Sequence, residues 1–144
     1  MNDVVKRFEE LTPVIFKYVH RADSGDLVDV NLSFSQVITL GLISEKKNPK
    51  MTDLASELGV TMGNVTGIIG RLASSGHVIR RQDHSDRRIV RVVLTAKGAS
   101  VAKKVSDSRK KCLEKIFCKM SAPDRSAIIK LLEKLVEQIQ KEGV

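Results

Sequence analysis

The chain has 144 residues, 42% hydrophobic and 29% charged, with 25 lysines and arginines against 17 acidic residues and a net charge of +8. That length suits one compact domain with a core of its own. The absence of any apolar run near ~18 residues excludes a membrane-spanning helix, so no membrane partner is expected. Two cysteines, Cys112 and Cys118, give no disulfide framework and fit a reducing compartment. The opening MNDVVKRFEE is charged where a secretory leader needs an apolar stretch, which makes the expected location cytoplasmic.

Val4, Phe8, Leu11, Ile15 and Tyr18 recur at helical spacing and form the stripe of an amphipathic helix. Pro13 falls inside that stripe, and a kink or local break is expected near residues 10–13. Residues 22–32, with three aspartates and a Ser-Gly pair, read as a loop. Ser33 and Gln36 have the spacing of a capping box. The helix they open is apolar around most of its circumference (Phe34, Val37, Ile38, Leu40, Leu42, Ile43) and should end before the turn at Asn48-Pro49. Thr52 is expected to cap a short helix over Asp53–Leu58, with Gly59 supplying the turn after it. Thr61 caps the next helix, and Gly76 is placed to end it. His77–Gln82 and Ile89–Leu94 are β-type runs, the second alternating Val90, Val92 and Leu94. A long lysine-rich helix follows from Thr95 to about Lys119. Ser121-Ala122-Pro123-Asp124 starts a last helix, with Ile128, Leu131, Leu132, Leu135, Val136 and Ile139 expected to face inward.

Helix, turn, helix and a charged two-stranded ribbon make up a winged helix-turn-helix. Val65, Ile68, Ile69 and Leu72 share one face of its second helix, the core side. Gly63, Gly67, Gly70 and Ser74 lie opposite, flanked by Asn64, Thr66 and Arg71. A helical glycine costs about 1 kcal/mol against alanine, so three on one outward face call for a reason. A helix lying in the major groove supplies one: glycines let the backbone approach while Asn64, Thr66 and Arg71 reach bases or phosphates. Between the strands, Asp86 can accept from the backbone two residues on, an Asx turn, and can also hold Arg88 by a charge-assisted bond. Arginines at the tip of such a ribbon suit the negative potential of the minor groove. Charge is concentrated here: residues 77–94 hold five basic and two acidic side chains, and residues 95–120 eight and two.

The element order and the residues Leu54-Ala55, Leu58-Gly59-Val60, Asn64-Val65-Thr66, Arg71-Leu72, Gly76, Val78, Arg80-Arg81, Asp83, Asp86-Arg87-Arg88 and Leu94-Thr95 resemble the MarR family of bacterial transcriptional regulators. The resemblance implies a mainly α fold with a small β-wing, a single domain over residues 1–144. Dimerisation helices would cover about 3–21 and 96–142. The winged helix-turn-helix would cover about 33–95, with its helix-turn-helix core at 52–75 and its wing at 77–95. It further implies a homodimer on a palindromic operator in double-stranded DNA, with a small, often aromatic, effector shifting its conformation. In such a protein Thr61, Asn64, Thr66 and Arg71 would face the major groove or its phosphates, and Arg88, braced by Asp86, would enter the minor groove. On the residues themselves Gly63 and Gly67 join the first set, and Arg81 and Arg87 the wing's share of the DNA. Ser35 and Gln36, at a helix N-terminus, would lie near a phosphate. Tyr18, His20 and Phe34 are candidates for lining an effector pocket. The chain departs from the family at Gly67 and Gly70, where longer polar side chains are common.

Other chemistry finds little support. His20, His77 and His84 are scattered, and no Cys/His cluster has metal-ligand spacing. Cys112 and Cys118 stand about 120° apart on a helix. They read as core or interface residues, with a minor thiol-sensing role left open by the basic Lys110, Lys111 and Lys119 beside them. No phosphate-binding glycine loop or nucleophile triad is present, so neither catalysis nor a cofactor is expected. Most of the lysine-rich helix reads as a solvated face, with its first turn near the wing able to approach phosphate. Two other functions remain open on the residues alone: a winged-helix protein-interaction module, and an architectural DNA-binding protein without sequence preference.

Overall fold

A computed structural model describes residues 1–19 and 31–143 as six helices and one two-stranded antiparallel sheet. In chain order they are α1 (Asn2–Val19), α2 (Phe34–Lys46), α3 (Met51–Leu58), α4 (Met62–Ser74), β1 (Val78–Gln82), β2 (Val90–Leu94), α5 (Ala96–Phe117) and α6 (Ala122–Lys141). The chain divides into two compact units, residues 20–109 and residues 1–19 with 110–144. The loop expected over 22–32 lies largely outside the described residues.

The first unit is built on one apolar core. Leu40 and Ile43 of α2, Leu54 of α3, Val65, Ile69 and Leu72 of α4, Val78 of β1 and Val92 of β2 are all buried in it. Local chemistry sets the boundaries of its elements. The Ser33 amide donates to Gln36 Oε1 at 2.8 Å and the Gln36 amide to Ser33 Oγ at 3.4 Å, the reciprocal capping box. Gly59, at φ +62°, closes α3, and Gly76, at φ +77°, turns the chain out of α4. The cap of α3 differs from the sequence expectation. Thr52 lies within the helix, which starts at Met51 with Lys50 as N-cap. The reason is long-range: Lys50 is drawn out straight as a β-bridge to Arg91, and Asp53 then accepts from the Lys50 amide at 3.1 Å.

At the foot of the ribbon, Thr95 donates from Oγ1 to Gly76 O at 2.6 Å and from its amide to His77 O at 3.0 Å. Its hydroxyl also accepts the Gly98 amide at 3.1 Å, which caps α5. Gly98 packs so tightly on the His77 carbonyl that an added Cβ would lie 1.9 Å from that oxygen.

In the second unit α1 runs unbroken through Pro13, so of the kink or local break expected there the break is absent. A proline removes one amide donor, and the turns on either side carry the helix past it. The inward placement expected for the last helix is also corrected. Leu131, Leu132, Leu135, Val136 and Ile139 are exposed, as are Val4, Phe8, Leu11 and Ile15 of α1, while Ile128 is half-buried. Helical periodicity shows that a face is apolar without showing what covers it.

Candidate nucleic-acid interface

Helix α4 is amphipathic in the sense the sequence requires. Val65, Ile68, Ile69 and Leu72 are buried, and Gly63, Asn64, Thr66, Gly67 and Arg71 face solvent. Thr61 Oγ1 accepts the Asn64 amide at 3.3 Å, so this hydroxyl serves the helix start. An added Cβ at Gly67 would meet nothing within 4 Å, and at Gly63 only Thr61 Oγ1 at 3.9 Å. Among the described residues no neighbour requires glycine at either position.

The ribbon beside it pairs residue for residue. Val78, Ile79, Arg80, Arg81 and Gln82 pair with Leu94, Val93, Val92, Arg91 and Val90. Val78 and Val92 mark the inner face, and Arg80 shares it. Its guanidinium reaches across α4 and donates from Nη2 to Thr66 O at 3.2 Å, passing 3.8 Å from where a Gly70 Cβ would stand. Arg81 is exposed on the other face, opposite Arg91. Of this pair the sequence points to Arg81, whereas the structure places Arg80 against α4. Alternation from Val78 was the signal that distinguishes them.

At the wing tip Asp86 behaves partly as expected. Its Oδ1 accepts the Arg88 amide at 2.9 Å, the Asx turn. The Arg88 guanidinium, however, is an ion pair at 4.0 Å from that oxygen and is 95% exposed, so Asp86 fixes the backbone of Arg88 rather than its side chain. Charge-assisted hydrogen bonds need closer approach than this. Asp83 is the better-connected carboxylate. It accepts from the Ser85 hydroxyl at 2.5 Å, from the Ser85 amide at 2.9 Å and from the Arg91 guanidinium. The Ser85 hydroxyl, then Arg91 and the Ser85 amide, hold its carboxyl far below the usual carboxylate range.

Between the first turns of α4 and the wing lies an open cleft of about 510 Å³, lined by Lys50, Met51, Thr52, Met62, Thr66, Arg80, Arg88, Ile89 and Val90. Among the described residues three cations and no acidic residue border it. It brings Thr66 and Arg88 to one place, and adds Lys50 and Arg80, which are not among the residues expected from sequence.

Other expected residues are distributed differently. Ser35 is exposed in the first turn of α2, whereas Gln36 is buried with its side-chain oxygen committed to the cap. Tyr18 is half-buried at the end of α1 in one unit, Phe34 is exposed at the start of α2 in the other, and His20 lies outside the described residues. Lys97, in the first turn of α5, donates to Ser75 O at 2.8 Å. Cys112 is buried and Cys118 exposed. Among the described residues no group of three His, Cys, Asp or Glu is placed to hold a metal, and no helix is long and apolar enough to cross a membrane.

Comparison with known proteins matches residues 32–90 to the model of the MarR family. An uncharacterized HTH-type transcriptional regulator of Bacillus subtilis, YfiV, is 26% identical over 139 residues, covering 92% of this chain and 87% of that protein. The transcriptional repressor MprA of Escherichia coli is 27% identical over 114 residues, 77% of this chain and 64% of that one. Among solved structures, Streptococcus pneumoniae FabT in complex with DNA superposes with a TM-score of 0.82 at 26% identity, over 95% of this chain and 98% of that one. A MarR transcriptional regulator from Methanosarcina mazei superposes at 0.77 with 22% identity, over 98% and 99%, a likeness of fold.

Proposed function

Because this chain belongs to the MarR family of transcriptional regulators, we propose that it binds double-stranded DNA sequence-specifically as a homodimeric repressor. The observation that carries the reading is the pairing of an outward glycine face on α4 with a cation-bordered cleft and an exposed arginine at the wing tip. Such an arrangement can seat a helix backbone close to the major groove while Asn64, Thr66 and Arg71 reach base edges or phosphates. Arg87 and Arg88 would enter the adjacent minor groove, attracted by its negative potential. Ser35 adds a helix N-terminus suited to a phosphate. The DNA-bound relative FabT supports this placement by its overall likeness.

The exposed apolar faces of α1 and α6 support a second copy as partner. A two-fold dimer presents two copies of α4, and so reads a palindrome. The family resemblance supports release or retention of DNA by a small aromatic effector through a shift in the dimer's population. A regulator of this kind would work in the cytoplasm.

The test is a footprint on the DNA upstream of the protein's own gene. A protected palindrome with half-sites about 10 bp apart is expected. An Arg87→Ala/Arg88→Ala variant should lose that protection. Equal affinity for this region and for random DNA at matched salt would instead favour an architectural role. Undiminished binding in the double variant would remove the wing from the interface and leave protein interaction as the better reading.

A further inference from the structure

The register sets Arg81 directly opposite Arg91 on the outer face of the wing, and two like charges so placed repel. Asp83 answers that repulsion by accepting the Nε–H of Arg91. The same guanidinium donates from Nη1 to Asn48 O at 3.0 Å. Asn48 belongs to the linker between α2 and α3, where Lys47 and Asn48 both hold left-handed conformations, φ 50° and 62°. Non-glycine residues adopt these only at a cost. The linker is stitched to β2 by the Lys50–Arg91 bridge and by the Val92 amide donating to Pro49 O at 3.0 Å. On its other side Asp83 accepts the Ser85 amide at 2.9 Å and the Asp86 amide at 3.4 Å, and Asp86 in turn accepts the Arg88 amide at 2.9 Å. One continuous run of hydrogen bonds thus joins the α2–α3 linker to the wing tip.

We propose that Arg91, working through Asp83, is a positioning residue that sets Arg88 for DNA and does not itself contact DNA; this rests on the reading of the wing as DNA-binding. Exposure separates the roles: the Asp83 side chain is 10% exposed and that of Arg91 36%, against 95% for Arg88. The strut needs a fork of donors in fixed geometry, serving Asp83 and Asn48 from different nitrogens. A lysine ammonium keeps the charge and loses that geometry.

The test uses the full chain as wild type, Arg91→Lys, Arg91→Ala, Arg88→Ala and the Arg88→Ala/Arg91→Ala pair. Hydrogen exchange on the free protein comes first. Both Arg91 variants should speed exchange at the Ser85, Asp86 and Arg88 amides and leave Ile69 and Leu72 unchanged; unaltered exchange at the tip overturns the strut. Affinity is then measured for a duplex that the wild-type protein selects from a randomised library. Arg91→Ala and Arg91→Lys should each weaken binding roughly tenfold, in the range for loss of one arginine contact. In the Arg88→Ala background, loss of Arg91 should add almost nothing, since its effect passes through Arg88. Additive losses, or full rescue by Arg91→Lys, would show that Arg91 acts as a DNA-contacting charge and overturn the proposal. If wild type selects no duplex, or if neither Arg88→Ala nor Arg91→Ala changes affinity, the DNA reading of the wing fails, and the positioning role with it, even where tip exchange has risen.

Discussion

Three residues show how differently local surroundings judge one small change. Gly98 sits where a Cβ would lie 1.9 Å from the His77 carbonyl oxygen, a backbone atom that cannot swing aside. Gly98→Ala should therefore lower stability by about 1–3 kcal/mol, the usual cost of overpacking, measured as a reduced urea midpoint. Gly67 faces open space, so Gly67→Ala should raise stability by about 1 kcal/mol while weakening DNA binding. Operator affinity that stays level or rises would refute close backbone approach at α4. His77 is buried, with Nδ1 2.7 Å from Ser75 Oγ and Nε2 without a partner among the described residues. Burial, and secondarily the nearby Lys97 charge, push its pKa below the usual value of 6.5. The unfolded chain then takes up the proton first, so the neutral folded form is favoured fully above about pH 6.5 and progressively less as pH falls toward the depressed value. Stability should drop on acidification through that window, and His77→Gln should flatten the dependence. An equal slope in the variant would assign the effect elsewhere.

At the scale of elements, what was legible in the sequence is what neighbours in the chain decide. Ser33, Thr61 and Ser121 cap their helices as read, because a side-chain oxygen meets an amide three residues on. Gly59 and Gly76 end theirs because a left-handed φ is needed there. The buried face of α4 follows directly from its 3.6-residue period. What escaped the sequence depends on partners far along the chain. Lys50 became the cap of α3 through a bridge to Arg91, 41 positions on. Arg80 crosses to Thr66 and Arg91 to Asn48, separations of 14 and 43 residues that no local pattern encodes. The candidate interface was legible in its residue types and in the Asx turn at Asp86. Its cleft and its internal bracing became visible only once β1 and β2 had a register.

For the whole molecule, the two units differ in how they satisfy their apolar residues. Residues 20–109 enclose a core, while α1 and α6 leave Phe8 55%, Leu132 52% and Val136 50% exposed. Exposed apolar faces of this kind are what an association surface requires. A Leu132→Glu/Val136→Glu variant should sediment as a monomer. It should bind its operator roughly 10²-fold more weakly, because two linked half-site contacts become independent events. A variant that still sediments as a dimer would place the pairing surface elsewhere. If α1 and α6 are completed by a second copy, as proposed, folding and association become a single equilibrium, and the thermal midpoint should climb with protein concentration. Dosage then enters the stability of the molecule itself. Under that coupling the same sequence, made at low copy number, would sit nearer to unfolding than when it is abundant.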